Sequence, residues 1–260
     1  MAWIQANCKS AELHMPIDFQ VLLPQYTPGG GRGAIGNPGP YKTLYLLHGH
    51  GGSGVEWLRQ TSIERYMAKR PMGIVLPDGH NSFWANMTTG FNYHTFITEE
   101  LPYMCEKWFP LSSKREDRYV AGISMGGYGA LNAALNRPDV FSKVAAVSPV
   151  TDLSGLFDRD GQTVKADWIF GSREKYLSGS DNLYNAAQAL AQSGKARPEI
   201  LLTCGSGDGL YEPTKKFRAH LDSLGIYSDF FDTEGVHNWE YGDMIIPRVI
   251  DWLGVEKEEV

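Results

Sequence analysis

Short apolar runs alternate with longer segments of helical periodicity along most of this 260-residue chain. Strands are predicted at 19–23, 43–47, 73–76, 119–123, 144–147, 199–203 and 229–232. Helices are predicted at 55–68, 96–108, 125–136, 183–192, 213–224 and 239–253. Strands that alternate with helices are typical of βαβ units, in which helices cover both faces of a mostly parallel sheet. The pattern therefore predicts an α/β fold.

Two stretches show neither the apolar runs of the predicted strands nor the helical periodicity. The segment 29–40 is rich in Gly and Pro and contains a literal G-x-G-x-x-G at 31–36. A dinucleotide site would need a helix to begin there, because its N-terminal amides hold the pyrophosphate. The sequence Asn-Pro-Gly-Pro at 37–40 blocks such a helix, so we expect a solvent loop.

The second stretch, 152–182, is polar and interrupted by glycines. It fits either a small cap over a pocket or a surface excursion. No internal repeat or linker divides the chain, so residues 1–260 are expected to form one domain.

Charge and cysteine usage narrow the class of protein. The formal net charge of −6 argues against nucleic acid or an anionic membrane as partner, since both require a basic surface. No run approaches the about 18 apolar residues of a membrane span, and residues 1–16 do not resemble a signal peptide. The three cysteines are far apart, which favours neither a disulfide framework nor a zinc site. We expect a cytoplasmic protein without a bound metal.

The candidate nucleophile is Ser124, in the G-x-S-x-G pattern of residues 122–126. That pattern places a serine on a sharp strand-to-helix turn, with small residues on both sides so that strand and helix pack closely. The bare motif is weak evidence in a chain with 29 glycines, where it also fits an ordinary βα turn. Here a β-rich segment precedes it and an Ala- and Leu-rich helix follows, which favours the nucleophile.

A serine hydroxyl needs a histidine to take its proton and a carboxylate to orient that histidine. In the α/β-hydrolase fold these residues follow the serine in the order acid, then histidine. His237 lies between the last predicted strand and the last helix, whereas His220 lies within a helix. Asp208 follows a strand directly, and its competitors are Asp222, Asp229 and Asp232. We predict Asp208 and His237.

Acyl transfer also requires backbone N–H groups that meet the developing oxyanion. The amide of Met125, just after Ser124, is one expected donor. The other is the amide of His50, in the glycine-rich loop after strand 43–47, with Gly51 next to it. His48 and His50 could instead suggest a metal, but two histidines without a nearby carboxylate or thiolate are a weak signal.

With these segments placed, the chain resembles the esterase D-like branch of the α/β-hydrolases, and most of all the tributyrin-type esterases. The motifs that carry the resemblance are LLHGHGG at 46–52, LPDG at 76–79, GISMGG at 122–127, CGSGD at 204–208 and HNWE at 237–240. Residues 81–84 and 99–102 add to the tributyrin-type likeness. The resemblance implies the α/β-hydrolase fold, the same catalytic residues, no cofactor and possible homo-oligomers.

The sequence thus predicts a serine carboxylesterase that hydrolyses short-chain acyl esters of small molecules through an acyl-Ser124 intermediate. The alternatives are a feruloyl or acetylxylan esterase, an S-formylglutathione hydrolase, an acyltransferase, or a non-catalytic protein on a hydrolase fold. Gly51, Trp84 and Tyr93 are candidate substrate-binding residues, although Trp84 and Tyr93, like Phe83, fit core packing equally well.

Overall fold

The computed structural model describes residues 1–25, 38–158 and 165–258. These residues form an eight-stranded sheet in the order β1-β2-β4-β3-β5-β6-β7-β8. The strands are β1 (Ala2–Lys9), β2 (Pro16–Leu23), β3 (Lys42–Leu47), β4 (Met72–Pro77), β5 (Arg118–Ile123), β6 (Lys143–Val147), β7 (Glu199–Gly205) and β8 (Asp229–Thr233). Strand β2 pairs antiparallel with β1 and β4, and the strands from β4 to β8 pair in parallel.

Ten α-helical segments connect or flank these strands within the described residues. They are α1 (Glu56–Gln60), α2 (Ile63–Tyr66), α3 (Tyr93–Thr95), α4 (Leu101–Trp108), α5 (Met125–Asn136), α6 (Ala166–Phe170), α7 (Arg173–Ser178), α8 (Leu183–Gln192), α9 (Tyr211–Ser223) and α10 (Trp239–Trp252). A π-helical turn, Phe96–Glu100, joins α3 to α4.

The sheet separates two layers of apolar side chains, which confirms the predicted fold class. One layer includes Leu101 of α4, Leu131 of α5 and Phe217 of α9. The opposite layer includes Trp57 of α1 and Ile245 of α10. Helices therefore cover both faces of a mostly parallel sheet, and the carboxyl ends of β3 and β5 to β8 meet at one edge.

Three local features differ from the sequence prediction. Strand β1 was not predicted, because its residues alternate between exposed and half-buried and none is fully buried. The predicted helix 55–68 is divided at Thr61, whose backbone is extended. The predicted helix 96–108 begins earlier, at Tyr93.

The segment 152–182 contains a 3-10 turn, Ser154–Asp158, followed by α6 and α7. Residues 159–164 of this segment and the G-x-G-x-x-G at 31–36 lie outside the described residues. In the described ranges, no helix is long and apolar enough to cross a membrane.

Candidate active site

Ser124 occupies a strained turn between β5 and α5. Its φ of 57° and ψ of −115° lie in a region that non-glycine residues rarely adopt. The turn is held on both sides, since the Ser124 amide donates to the Val147 carbonyl at 2.9 Å and the Ser124 carbonyl accepts from the Tyr128 amide at 3.0 Å. The strained turn places Ser124 at the carboxyl edge of the sheet, between the end of β5 and the start of α5.

The glycines of the motif are required by close backbone approach. A Cβ on Gly126 would overlap the carbonyl oxygen of Leu47 and lie 2.6 Å from that of His48. A Cβ on Gly122 would overlap the backbone of Gly126. The small residues thus let α5 begin directly against β3 and β5, as the sequence motif predicts.

The three predicted catalytic side chains form one hydrogen-bonded chain. Ser124 Oγ lies 3.0 Å from His237 Nε2, and His237 Nδ1 lies 2.8 Å from Asp208 Oδ2. Because the carboxylate accepts from Nδ1–H, the neutral imidazole has its lone pair on Nε2, toward the serine hydroxyl. The His237 side chain is 43% exposed and that of Asp208 only 1%, so the imidazole faces the solvent cleft and the carboxylate is buried.

Asp208 is held in its ionised form by its surroundings. Burial alone would raise the pKa of Asp208, but hydrogen bonds from the Leu210 amide, the Ser148 hydroxyl and His237 outweigh it and lower the pKa below the usual range. The Leu210 amide donates to Oδ1 at 2.8 Å. Sequence reasoning missed Ser148; its one signal is a polar residue just after β6, at the same sheet edge as the other site residues.

The glycine-rich loop after β3 lies against Ser124, as predicted. Within the described residues, the amides of His50 and Met125 have no protein acceptor, which leaves both N–H groups available to a ligand. The amide of Gly51, by contrast, donates to Asn81 Oδ1 at 2.7 Å. Gly51 therefore anchors the loop, and His50 and Met125 are the candidate oxyanion donors.

The side chain of His48 stabilises this loop by hydrogen bonds to backbone groups. The buried ring accepts from the Gly79 amide through Nε2 at 2.9 Å, and its Nδ1 lies 2.8 Å from the Gly49 carbonyl. The amide donor at Nε2 and the carbonyl acceptor at Nδ1 indicate the tautomer with the proton on Nδ1. Both ring nitrogens are thus engaged, so His48 is not placed to bind a metal. Among the described residues, no group of three His, Cys, Asp or Glu side chains could hold a metal ion.

Two clefts meet at Ser124 and His50, which line both of them. The histidine-side cleft, about 250 Å³, is lined by residues that include Gly51, Gly52, Glu56, His237, Asn238 and Trp239. The apolar cleft, about 270 Å³, is lined by residues that include Phe83, Val150, Asp152, Leu153, Leu156 and Leu210. The described start of segment 152–182 therefore forms part of the apolar cleft.

The candidate substrate-binding residues divide between cleft and core. Gly51 lines the histidine-side cleft. Trp84 does not line either cleft, because its fully buried ring fills the space that a Cβ on Gly79 or Gly129 would occupy. Tyr93 is 3% exposed and hydrogen bonds to His80 Nδ1 at 2.8 Å. For Trp84 and Tyr93 the structure corrects the pocket interpretation to core packing.

Comparison with known proteins identifies the family of this chain. A family model described as a putative esterase matches residues 10–245. The chain belongs to this esterase family. It is accordingly a carboxylic ester hydrolase with the α/β-hydrolase fold predicted from its sequence.

Two solved structures and one curated relative are similar to the esterase over nearly its whole length. The fluorophosphonate-binding serine hydrolase F of Staphylococcus aureus is 32% identical, with a TM-score of 0.87 over 97% of this chain and 98% of that one. An S-formylglutathione hydrolase of the same organism is 31% identical, with a TM-score of 0.85 and the same coverage. An acetyl esterase of Caldicellulosiruptor saccharolyticus is 29% identical over 97% of this chain and 98% of that protein.

Proposed function

We propose that Ser124 is the nucleophile of this esterase, with His237 as general base and acid, Asp208 as the group that orients His237, and short-chain acyl esters as substrates. The observation that carries the proposal is the unbroken hydrogen-bonded chain from Ser124 Oγ through His237 to the buried carboxylate of Asp208. Ester hydrolysis by these three side chains needs no cofactor.

In the first half of the reaction, Ser124 Oγ attacks the ester carbonyl carbon while His237 Nε2 takes the hydroxyl proton. The negative charge on the carbonyl oxygen is met by the amides of His50 and Met125. The tetrahedral intermediate collapses by breaking the bond to the alcohol oxygen, which receives the proton from Nε2. An acyl-Ser124 ester remains.

In the second half, water attacks the acyl carbon and gives its proton to His237 Nε2. Collapse of the second intermediate releases the carboxylic acid and returns the proton to Ser124 Oγ. Protons and charges balance over the cycle, and the positive charge on His237 in each half is stabilised by the Asp208 carboxylate.

The two clefts determine which way round the ester binds, with its alcohol group in one cleft and its acyl group in the other. The alcohol oxygen must lie within reach of His237 Nε2, and His237 lines only one of the two clefts. The alcohol therefore belongs in the histidine-side cleft and the acyl group in the apolar cleft, beside Phe83 and Leu153. The acetyl esterase relative supports a short acyl group.

A second candidate substrate is S-formylglutathione, which the 31% identical S. aureus relative brings into consideration. Its small formyl group suits the apolar cleft. Its glutathionyl group carries two carboxylates and one ammonium, and none of the residues that line either cleft is a lysine or arginine. We therefore favour esters of uncharged alcohols.

An activity panel on the purified protein tests the proposal. It compares p-nitrophenyl acetate, butyrate and octanoate with methyl ferulate, acetylated xylan and S-formylglutathione, using wild type and Ser124→Ala. We expect acetate or butyrate to be preferred and Ser124→Ala to be inactive. Full activity of Ser124→Ala would contradict the mechanism, and preferential transfer to an added alcohol would favour an acyltransferase.

Cytoplasmic location and a homo-oligomeric state remain predictions from the sequence. Fractionation of the source cells tests the first, and sedimentation analysis of the purified protein tests the second. The unpaired state of all three cysteines is in keeping with a reducing compartment.

A further inference from the structure

Each of the two clefts is lined by one acidic side chain and by no lysine or arginine. Glu56 is the one acidic side chain that lines the histidine-side cleft, and Asp152 is the one that lines the apolar cleft. Burial lowers the pKa of His50, which lines both clefts, so its imidazole is neutral at pH 7. A leaving alcohol bound in the histidine-side cleft therefore faces one acidic side chain on the cleft wall, that of Glu56.

Glu56 is placed to present that charge to the alcohol. It is the first residue of α1 and is half-buried, and its Cγ lies only 3.0 Å from the position of a Cβ on Gly52. Its stem thus packs against the oxyanion loop. Within the described residues its carboxylate has one hydrogen-bond partner, Gln60 Nε2 at 3.4 Å, which leaves most of its acceptor capacity free.

The neighbouring wall offers groups of complementary chemistry. The Asn238 side-chain oxygen accepts from the Tyr241 amide at 3.0 Å, so the Asn238 NH₂ is the part left to face a ligand. The Trp239 ring is half-buried and packs edge-to-face on Trp57 at a centroid distance of 5.1 Å. An acceptor, a donor and a fixed aromatic surface suit a hydroxyl-bearing alcohol, whose O–H groups can donate to the carboxylate.

We propose that Glu56 is a specificity-determining residue of the leaving-group site, which selects neutral, hydroxyl-bearing alcohols such as glycerol or a monosaccharide and disfavours anionic alcohols. This inference rests on the proposed function, because it uses the direction that His237 gives to the ester. When the negative charge of an anionic alcohol lies about 6 Å from the Glu56 carboxylate, the two charges repel each other. At an effective dielectric constant of about 40, this repulsion weakens binding about tenfold.

Charge-matched pairs of acetate esters test the proposal on the full-length protein. The first pair is 4-acetoxybenzamide and 4-acetoxybenzoate, which share a phenolic leaving group and differ in charge. The second is glycerol monoacetate and propyl acetate, which differ in hydroxyl groups. For the wild type we expect kcat/KM to favour 4-acetoxybenzamide and glycerol monoacetate, each by about tenfold, mainly through KM.

Three variants separate the effect of Glu56 from general charge. In Glu56→Gln the preference against 4-acetoxybenzoate should fall to about twofold, and in Glu56→Lys it should reverse. Asp152→Asn removes the same charge from the other cleft and should keep the wild-type preference. Ratios between substrates are the readout, so a partial loss of folded protein does not change the result.

The outcomes separate this inference from the proposed function. Hydrolysis of the neutral esters with ratios that do not change in Glu56→Gln or Glu56→Lys would overturn the role of Glu56 and leave the ester hydrolysis by Ser124 standing. Absence of hydrolysis of all four acetate esters by the wild type would overturn the proposed function itself.

Discussion

Asn81 and Gly51 join two loops that come from neighbouring strands. The side-chain oxygen of Asn81, which follows β4, accepts a hydrogen bond from the Gly51 amide, which follows β3, at 2.7 Å. A second link, from the Gly79 amide to His48 Nε2 at 2.9 Å, joins the same two loops. The position of the His50 amide beside Ser124 is therefore set by the loop after β4 as well as by its own sequence.

Removal of the Asn81 oxygen should impair transition-state stabilisation. We expect Asn81→Ala to lower kcat on p-nitrophenyl acetate by about tenfold with little change in KM. This is less than the loss of an oxyanion donor itself, because the His50 amide is displaced and not deleted. Asn81→Asp keeps an acceptor oxygen but places a negative charge beside the developing oxyanion, so it should not restore kcat. Equal rates for wild type and Asn81→Ala would show that the hydrogen bond does not position the loop.

Ser148 should be required for full activity, although it does not contact Ser124. Its hydroxyl is one of the groups that hold Asp208 ionised, and loss of a hydrogen bond to a charged group costs about 1.5–3 kcal/mol. We expect Ser148→Ala to lower kcat/KM by at least about tenfold. Ser178→Ala, on α7, removes a hydroxyl that bonds to the Glu174 carbonyl and serves as the control. A Ser148→Ala enzyme as active as this control would remove Ser148 from the site.

A methyl group at Gly126 should destabilise the fold. It would overlap the carbonyls of Leu47 and His48, which belong to backbone that cannot move without disturbing β3. We expect Gly126→Ala to lose about 3 kcal/mol of unfolding free energy or to fail to fold, as measured by urea denaturation. A Cβ on Gly155 would meet no atom within 4 Å, so Gly155→Ala should be within about 0.5 kcal/mol of wild type. Similar stabilities of the two variants would contradict this account.

His94 should make the fold sensitive to mild acid. Burial lowers its pKa from 6.5 to about 4, and its Nε2 has no hydrogen-bond partner within the described residues. Because the folded-state pKa is below the unfolded one, folding favours the neutral ring. The stabilisation is full above about pH 6.5 and is lost as pH falls toward 4, by about 3 kcal/mol in total.

Urea denaturation between pH 7 and 4 measures this loss. In His94→Gln the part of the pH dependence that comes from His94 should disappear. His14→Asn is the control, since His14 is exposed and its replacement should leave the slope unchanged. If wild type and His94→Gln lose stability in parallel, protonation of His94 does not drive the transition.

The sequence predicted the sheet well wherever strands are buried on both faces. The residues of β4, for example, form a continuous apolar run, which is typical of a strand that is buried on both faces. The edge strand β1 was missed because its alternation is between exposed and half-buried positions, which gives little apolar contrast. The break at Thr61 depends on contacts with distant elements, since the adjacent Ser62 amide donates to Asp243 at 2.8 Å.

Those site residues could be predicted that lie directly after a strand, where the α/β-hydrolase fold has its catalytic residues. Ser124, Asp208 and His237 each follow a predicted strand, and their order along the chain is that of the α/β-hydrolase fold, which indicated that they meet. The structure does bring them together; their roles remain proposals. Asn81 and Ser148 act through contacts between loops that are far apart in sequence, which local patterns do not reveal. Trp84 was ambiguous for a related reason, because only the packed structure shows that Gly129 leaves room for its ring.

Identification of the nucleophile by covalent labelling tests the central claim most directly. The purified esterase would be treated with a fluorophosphonate, and the modified residue located by peptide mass spectrometry while hydrolysis of p-nitrophenyl acetate is followed in parallel. We predict one adduct on Ser124 that forms at the rate at which activity is lost, with neither adduct nor activity in Ser124→Ala. An adduct on another residue, or ester hydrolysis by Ser124→Ala, would contradict the account.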